Sequence, residues 1–154
     1  EEFPEEFGIT GVTRPPVETR PGVIAGSCLC GDVAYEITGP FQRMANCHCT
    51  RCRLGRSVAH ATNAFCKLEH FSFVRGGENV VTYKVPEARY FTVGFCRRCG
   101  GASPHISKER EIAIVPAGSL DTDPRIRPQV HIFVGSGANW FDISDELPRF
   151  QEAS

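Results

Sequence analysis

The sequence predicts a mainly β domain with little helix. Two observations carry that class: short segments in which apolar and polar residues alternate between turn signals, and the lack of any window with sustained apolar recurrence at i, i+3 and i+4. A third observation, eight cysteines gathered mostly into tight groups, predicts what ties the strands together. A chain of 154 residues is the size of one domain and buries roughly 70% of its unfolded surface. Its 41% hydrophobic and 23% charged residues are ordinary for a globular protein and exclude global disorder.

Taken in order, residues 1–25 hold five acids and four of the eleven prolines with no periodicity, which predicts an extended, partly ordered arm. The domain is expected over 26–150, with a short tail at 151–154. Val33, Tyr35 and Ile37 alternate with Ala34 and Glu36, placing the first three on one face of a strand. Phe71–Arg75 and 80–85 flank Gly76-Gly77-Glu78-Asn79, a pattern that predicts a hairpin with a four-residue loop. Further strands are expected at 89–95, Ile112–Pro116 and 130–134, with turns at Gly39-Pro40 and Asp123-Pro124. Helical turns are expected only around 49–54 and 144–150. No repeat with a period of 20–50 residues is present. The cysteine segments fall in loops or at strand ends.

Lys plus Arg number 17 against 18 Asp plus Glu, a formal net charge of −1, which speaks against a strongly basic nucleic-acid binder or a binder of anionic membranes. No apolar run approaches the ~18 residues that span a bilayer. Nor does 1–26 carry a basic start followed by an apolar stretch, so no signal peptide is expected and the cytoplasm is the expected location.

The cysteines fall as Cys28 and Cys30, then Cys47, Cys49 and Cys52, then Cys96 and Cys99, with Cys66 alone. Eight in 154 residues is below the ~8–10% of a disulfide scaffold. A Cys-x-Cys pair suits two thiolates converging on one zinc at about 2.3 Å each better than it suits a disulfide. Seven cysteines cannot fill two shells of four, so a closed site of four and a site of three is the simplest partition. Cys28, Cys30, Cys96 and Cys99 would make the closed, structural site, joining segments 66 residues apart. The ~10–16 kcal/mol typical of structural zinc offsets the closure of so long a loop. Cys47, Cys49 and Cys52 would leave a zinc with an open position, the pattern of catalytic sites. His48 sits between two ligands and is expected to point away, which leaves it a weak catalytic candidate. Cys66 lies beside Phe65 in a β segment, where a buried free thiol is the common outcome.

Three blocks resemble a known family: Gly26-Ser27-Cys28-Leu29-Cys30-Gly31-Asp32-Val33, Asn46-Cys47-His48-Cys49-Thr50-Arg51-Cys52-Arg53, and Phe95-Cys96-Arg97-Arg98-Cys99-Gly100. They are similar, in order and spacing, to the signature blocks of the glutathione-dependent formaldehyde-activating (Gfa-like, CENP-V/GFA domain) family. Ala117-Gly118-Ser119-Leu120-Asp121, His131-Ile132-Phe133-Val134 and Trp140-Phe141 extend the likeness, as does Leu147-Pro148-Arg149-Phe150. Residues 1–25 and Cys66 lie outside the family pattern. The resemblance implies an Mss4-like fold of β-sheets around a structural zinc at Cys28, Cys30, Cys96 and Cys99, with a second, functional zinc at Cys47, Cys49 and Cys52. It also implies carbon–sulfur lyase chemistry, the condensation of formaldehyde with glutathione to S-hydroxymethylglutathione and its reverse.

Three functions follow as expectations. The first is a zinc-dependent lyase or synthase acting on a thiol–carbonyl adduct, with glutathione or its adduct as the small-molecule partner. In it Arg51, Arg53 and Arg56 are candidates to hold substrate carboxylates, since guanidinium matches carboxylate geometry. They serve equally well to offset thiolate charge. The second keeps the zinc but changes the substrate to another small carbonyl metabolite, with His48, His60, His105 and His131 as possible acid–base groups. His131 in a strand reads more readily as structural, His70 has less to recommend it, and Trp140 as a core aromatic. The third is a non-enzymatic zinc module for interactions. Occupancy of the second zinc and the oligomeric state stay open.

Overall fold

The computed structural model describes residues 14–153. The elements run β1 (Ile24–Ser27), β2 (Ala34–Ile37), β3 (Arg43–Cys47), α1 (Thr50–Arg56), β4 (Ala61–Lys67), β5 (Phe71–Arg75), β6 (Val80–Lys84), β7 (Thr92–Cys96), β8 (Ala102–Ser103), β9 (His105–Ser107), β10 (Ile112–Pro116) and β11 (Val130–Ile132). The mainly β class therefore holds. Three sheets form, in the orders β1-β2-β5, β11-β3-β4-β10-β9 and β6-β7-β8. All pairings are antiparallel except β11 with β3. Among the described residues no helix is long and apolar enough to cross a membrane.

The five-stranded sheet has two unlike faces. Met44 of β3, Ala64 and Cys66 of β4, and Ala113 and Val115 of β10 turn to one side and pack with Ile24, Tyr35, Ile37 and Phe71 of the first sheet. This is the main core. Since side chains alternate along a strand, Ala45 and Cys47 of β3 and Ala61, Asn63 and Phe65 of β4 face the other way. There α1 covers part of the sheet, and Cys47, Cys52 and Ala61 form a separate apolar cluster. That face carries the site described below.

Four expectations are corrected. Phe71–Arg75 and Val80–Lys84 are strands but not a hairpin, because β5 pairs with β2 and β6 with β7 in a different sheet. Gly76 causes the departure. It adopts the left-handed φ of +65°, and a Cβ there would sit 2.0 Å from the carbonyl oxygen of Asp32, so only glycine turns the chain out of the first sheet at this point. The stretch 144–150 is not helical; its backbone is used in pairing, with Pro148 O accepting from His131 N–H at 2.8 Å and Phe150 N–H donating to His131 O at 2.9 Å. Trp140 is not a core residue but 70% exposed. Lastly, β1 begins at Ile24, two residues inside the expected arm.

Of that arm, 1–13 lie outside the described residues. Arg14 is docked on the domain, its guanidinium donating to Ser27 Oγ at 2.6 Å and pairing with Asp121. Ser27 Oγ in turn donates to Asp121 Oδ2 at 2.6 Å. At the other end the expected tail is also tied down, with Glu152 O accepting from Phe133 N–H at 3.0 Å; residue 154 lies outside the described residues.

Candidate metal centre

Two thiol clusters form, and they use seven of the eight cysteines. Cys28 follows β1 and Cys96 ends β7, so the first cluster joins the first and third sheets. The Sγ atoms of Cys28, Cys30, Cys96 and Cys99 lie within 4.8 Å of one another. Two of the separations are 3.7 Å (Cys28 to Cys30) and 3.9 Å (Cys30 to Cys96). A tetrahedron with metal–sulfur bonds of about 2.3 Å has edges of about 3.8 Å, so the residues fit a zinc-sized ion. Each half of the cluster is a tight turn closed by a left-handed glycine, Gly31 at φ +76° and Gly100 at φ +70°. Backbone N–H groups of Val33 and Gly101 donate to Cys28 Sγ and Cys99 Sγ at 3.3 and 3.4 Å, which stabilises thiolates.

The second cluster is built from the end of β3 and the start of α1. Cys47 closes the strand, and Cys49 is the N-cap residue, its Sγ accepting from Cys52 N–H at 3.3 Å. A sulfur thus does what Ser or Asp does at other helix starts. Ser57, in the left-handed conformation, closes the helix through its N–H to Arg53 O. The three Sγ atoms lie within 4.8 Å of one another. Hydrogen bonds from Cys47 and then Cys52 hold Cys49 far below the usual thiol range. The contact with Cys49 pushes Cys47 up to about 11, and contacts with Cys47 and then Cys49 push Cys52 up as well. Three thiols this close shift one another's titration, and a cation among them would relieve the repulsion between their thiolates.

Cys66 does not close this set. It is 0% exposed in the main core on the opposite face of the sheet. His48 also faces away from the three sulfurs. Its Nε2 meets His131 Nδ1 at 2.8 Å, and His131 Nε2 meets the Asp145 carboxylate at 3.0 Å. The acceptor-only carboxylate fixes the tautomers: His131 donates from Nε2 to Asp145 and accepts at Nδ1 from His48. His60 stacks beside this pair, 4.9 Å from His48 between ring centroids, with Phe141 edge-on at 5.4 Å. His70 lies elsewhere, against Gly39.

Cys47, Cys49 and Cys52 all open on one cavity of about 650 Å³. Its floor is the second face of the five-stranded sheet. Its walls include Arg51 and Arg56 of α1, Phe91, His105 and Arg110. Among the described residues no Asp or Glu lines it. Arg56 is half-buried, and burial pulls its guanidinium below the usual range, partly offset by Cys52 and Cys47. Arg53 is not a lining residue; its Nε donates to Ser136 O at 3.3 Å. Burial, then Arg56 and Arg110, pull His105 down to about 4, so it is a neutral imidazole near pH 7, and its buried Nδ1 has no partner. A second cavity, about 780 Å³, is lined by Ser27, Leu29, Val58, His60 and Gly118, and Arg56 stands in the wall of both.

Sequence reasoning missed Asn63, Arg110 and Asp145. None sits in a motif, and each reaches its place only through strand register or loop folding. Residues 23–136 match the family model described as glutathione-dependent formaldehyde-activating enzyme. The chain belongs to that family. A crystal structure of a Rhodobacter sphaeroides protein is 28% identical, with a TM-score of 0.49; the match covers 66% of this chain and 92% of that one. No curated protein matches the chain. As a family member the protein has a mainly β, Mss4-like fold and two cysteine clusters able to hold metal, consistent with zinc.

Proposed function

We propose that the protein is a zinc-dependent carbon–sulfur lyase or synthase acting on the adduct of a thiol, glutathione or a close relative, with formaldehyde or a related small carbonyl compound. The observation that carries this reading is the three-thiol cluster opening on a cavity lined by arginines and, among the described residues, by no acid. Zinc held by Cys47, Cys49 and Cys52 would supply an open position that keeps a substrate sulfur in its thiolate form. Cys28, Cys30, Cys96 and Cys99 would hold a structural zinc.

In the synthetic direction the sulfur lone pair forms the C–S bond, the C=O π pair moves to oxygen, and that oxygen takes a proton from water. In the lyase direction the hydroxyl proton leaves, the C=O bond forms and sulfur keeps the C–S pair. Arg51, Arg56 and Arg110 bind the carboxylates of the thiol and hold its sulfur toward the cysteines. The apolar floor limits water around the reacting carbon. Eight unbridged cysteines suit the reducing cytoplasm.

A second reading, favoured by neutral His105 in the same cavity, is acid–base chemistry on another carbonyl metabolite. Exchange spectroscopy with ¹³C-formaldehyde and glutathione separates the two. Faster exchange between free formaldehyde and the adduct, lost in Cys49→Ala, is the expected result. No acceleration, or full turnover and full zinc content in Cys49→Ala, would falsify the first reading; turnover of a carbonyl compound without thiol would favour the second.

A further inference from the structure

The sheet face beneath the cavity is apolar apart from Asn63 on the central strand β4 and His105 on the edge strand β9. Ala45, Phe65, Ile114 and Ile132 form it beside Cys47, and Asn63 stands among them. Asn63 is 8% exposed. Its cross-strand neighbours are Ala45 on β3 and Pro116 on β10, neither of which offers a side-chain hydrogen bond. Next to it on the other face, Thr62 is satisfied by Asn46, Oγ1 to Oδ1 at 2.7 Å. Among the described residues the Asn63 side chain makes one hydrogen bond: Nδ2 donates to Cys52 Sγ at 3.9 Å. Its Oδ1 is buried without a partner.

The orientation of the amide follows from chemistry. A metal-bound or ionised Cys52 sulfur only accepts, so the NH2 end turns to it and the carbonyl end is left for the cavity. A buried amide oxygen without a donor is destabilising, and such groups in native proteins mark an absent ligand or water. Among the described residues none donates to it, and Asn63 lines the cavity next to Cys52, so a group that fills the cavity there can supply the donor.

We propose that Asn63 is a substrate-binding residue that recognises the hydroxyl of the thiol–carbonyl adduct, its Oδ1 accepting the hydrogen bond of that hydroxyl while Nδ2 stays on Cys52. The inference rests on the thiol-adduct reading above. An adduct whose sulfur sits at the three cysteines carries its hydroxyl one carbon away, within reach of the amide beside Cys52. Asn63 takes no proton. It orients the hydroxyl and distinguishes a thiohemiacetal from a thioether of the same size.

Calorimetric titration of the zinc-loaded protein with two stable thioethers tests this. S-(2-hydroxyethyl)glutathione has a hydroxyl where S-propylglutathione has a methyl group. In Asn63→Ala the ratio of the two affinities is expected to shift about tenfold toward the propyl compound, with zinc content unchanged. An unchanged ratio overturns the proposal and leaves the thiol-adduct reading standing. Binding of neither compound to the wild type overturns both. A crystal of the wild-type hydroxyethyl complex covers the case in which Asn63→Ala fails to fold. The hydroxyl is expected within hydrogen-bond distance of Oδ1, and a hydroxyl bonded elsewhere overturns the proposal.

Discussion

His48 and His131 share a hydrogen bond of 2.8 Å, and through it the residue between Cys47 and Cys49 is anchored to the last strand of the sheet. His131 is 1% exposed, and Asp145 terminates the chain of bonds at the surface. The loop bearing Cys47 and Cys49 is thereby held from behind.

Removing the middle of this chain is expected to cost more than removing its end. His131→Ala leaves His48 with an unpaired buried donor and a void, a loss of about 2–4 kcal/mol, whereas Asp145→Ala costs less because water replaces the exposed carboxylate. Urea denaturation of the two variants measures the order. Equal losses would show that the chain of bonds is not what anchors the loop.

The two thiol clusters are expected to fail differently. Cys96→Ser breaks the tie between the first and third sheets and gives a protein that unfolds or aggregates, since structural zinc contributes ~10 kcal/mol or more. Cys49→Ser keeps the β circular dichroism spectrum and lowers zinc content from two ions toward one. Metal analysis alongside spectroscopy checks both, and an intact fold in Cys96→Ser would contradict the structural role.

Among the arginines, position relative to the cavity decides the effect. Arg56→Ala and Arg110→Ala are each expected to raise KM for the thiol adduct by about tenfold to a hundredfold, the range of a charge-assisted hydrogen bond. Arg53→Ala, whose side chain serves Ser136 O, changes KM less than threefold or so on the same scale. Steady-state kinetics of the three variants ranks them.

The neutral state of His105 gives stability a pH dependence of known sign. Burial, Arg56 and Arg110 hold its folded pKa at about 4, while the unfolded chain titrates near 6.5. Between those values the unfolded state binds more protons, so the contribution is fully present above pH 6.5 and is lost as pH falls toward 4. His48 and His60, also lowered by burial, act in the same direction. His105→Gln is therefore expected to lose Tm less steeply than the wild type between pH 7 and 5, by a few degrees. Thermal melts at constant ionic strength measure it, and parallel profiles would contradict the assignment.

Spacing alone determined much of this protein. Cys28 with Cys30 and Cys96 with Cys99 are spaced to chelate whatever fold surrounds them, because ligand reach is a local property of the backbone. The same holds for Cys47, Cys49 and Cys52, and alternation from Val33 to Ile37 located the strand Ala34–Ile37. Tertiary structure decided the rest. Phe71–Arg75 and Val80–Lys84 read as partners because they are neighbours in sequence, yet Gly76 sends them to different sheets. Trp140 looked like a core residue and is exposed, since hydrophobicity does not say which face of a loop meets water. His131 looked solitary until parallel pairing of β11 with β3 brought it to His48. Asn63 and Arg110 carried no motif. Their place at the cavity comes from the register of β4 between β3 and β10 and from the turn before β10. Local chemistry is written in local spacing, whereas a binding wall is assembled from residues far apart in the chain, and only the packed sheets bring them together.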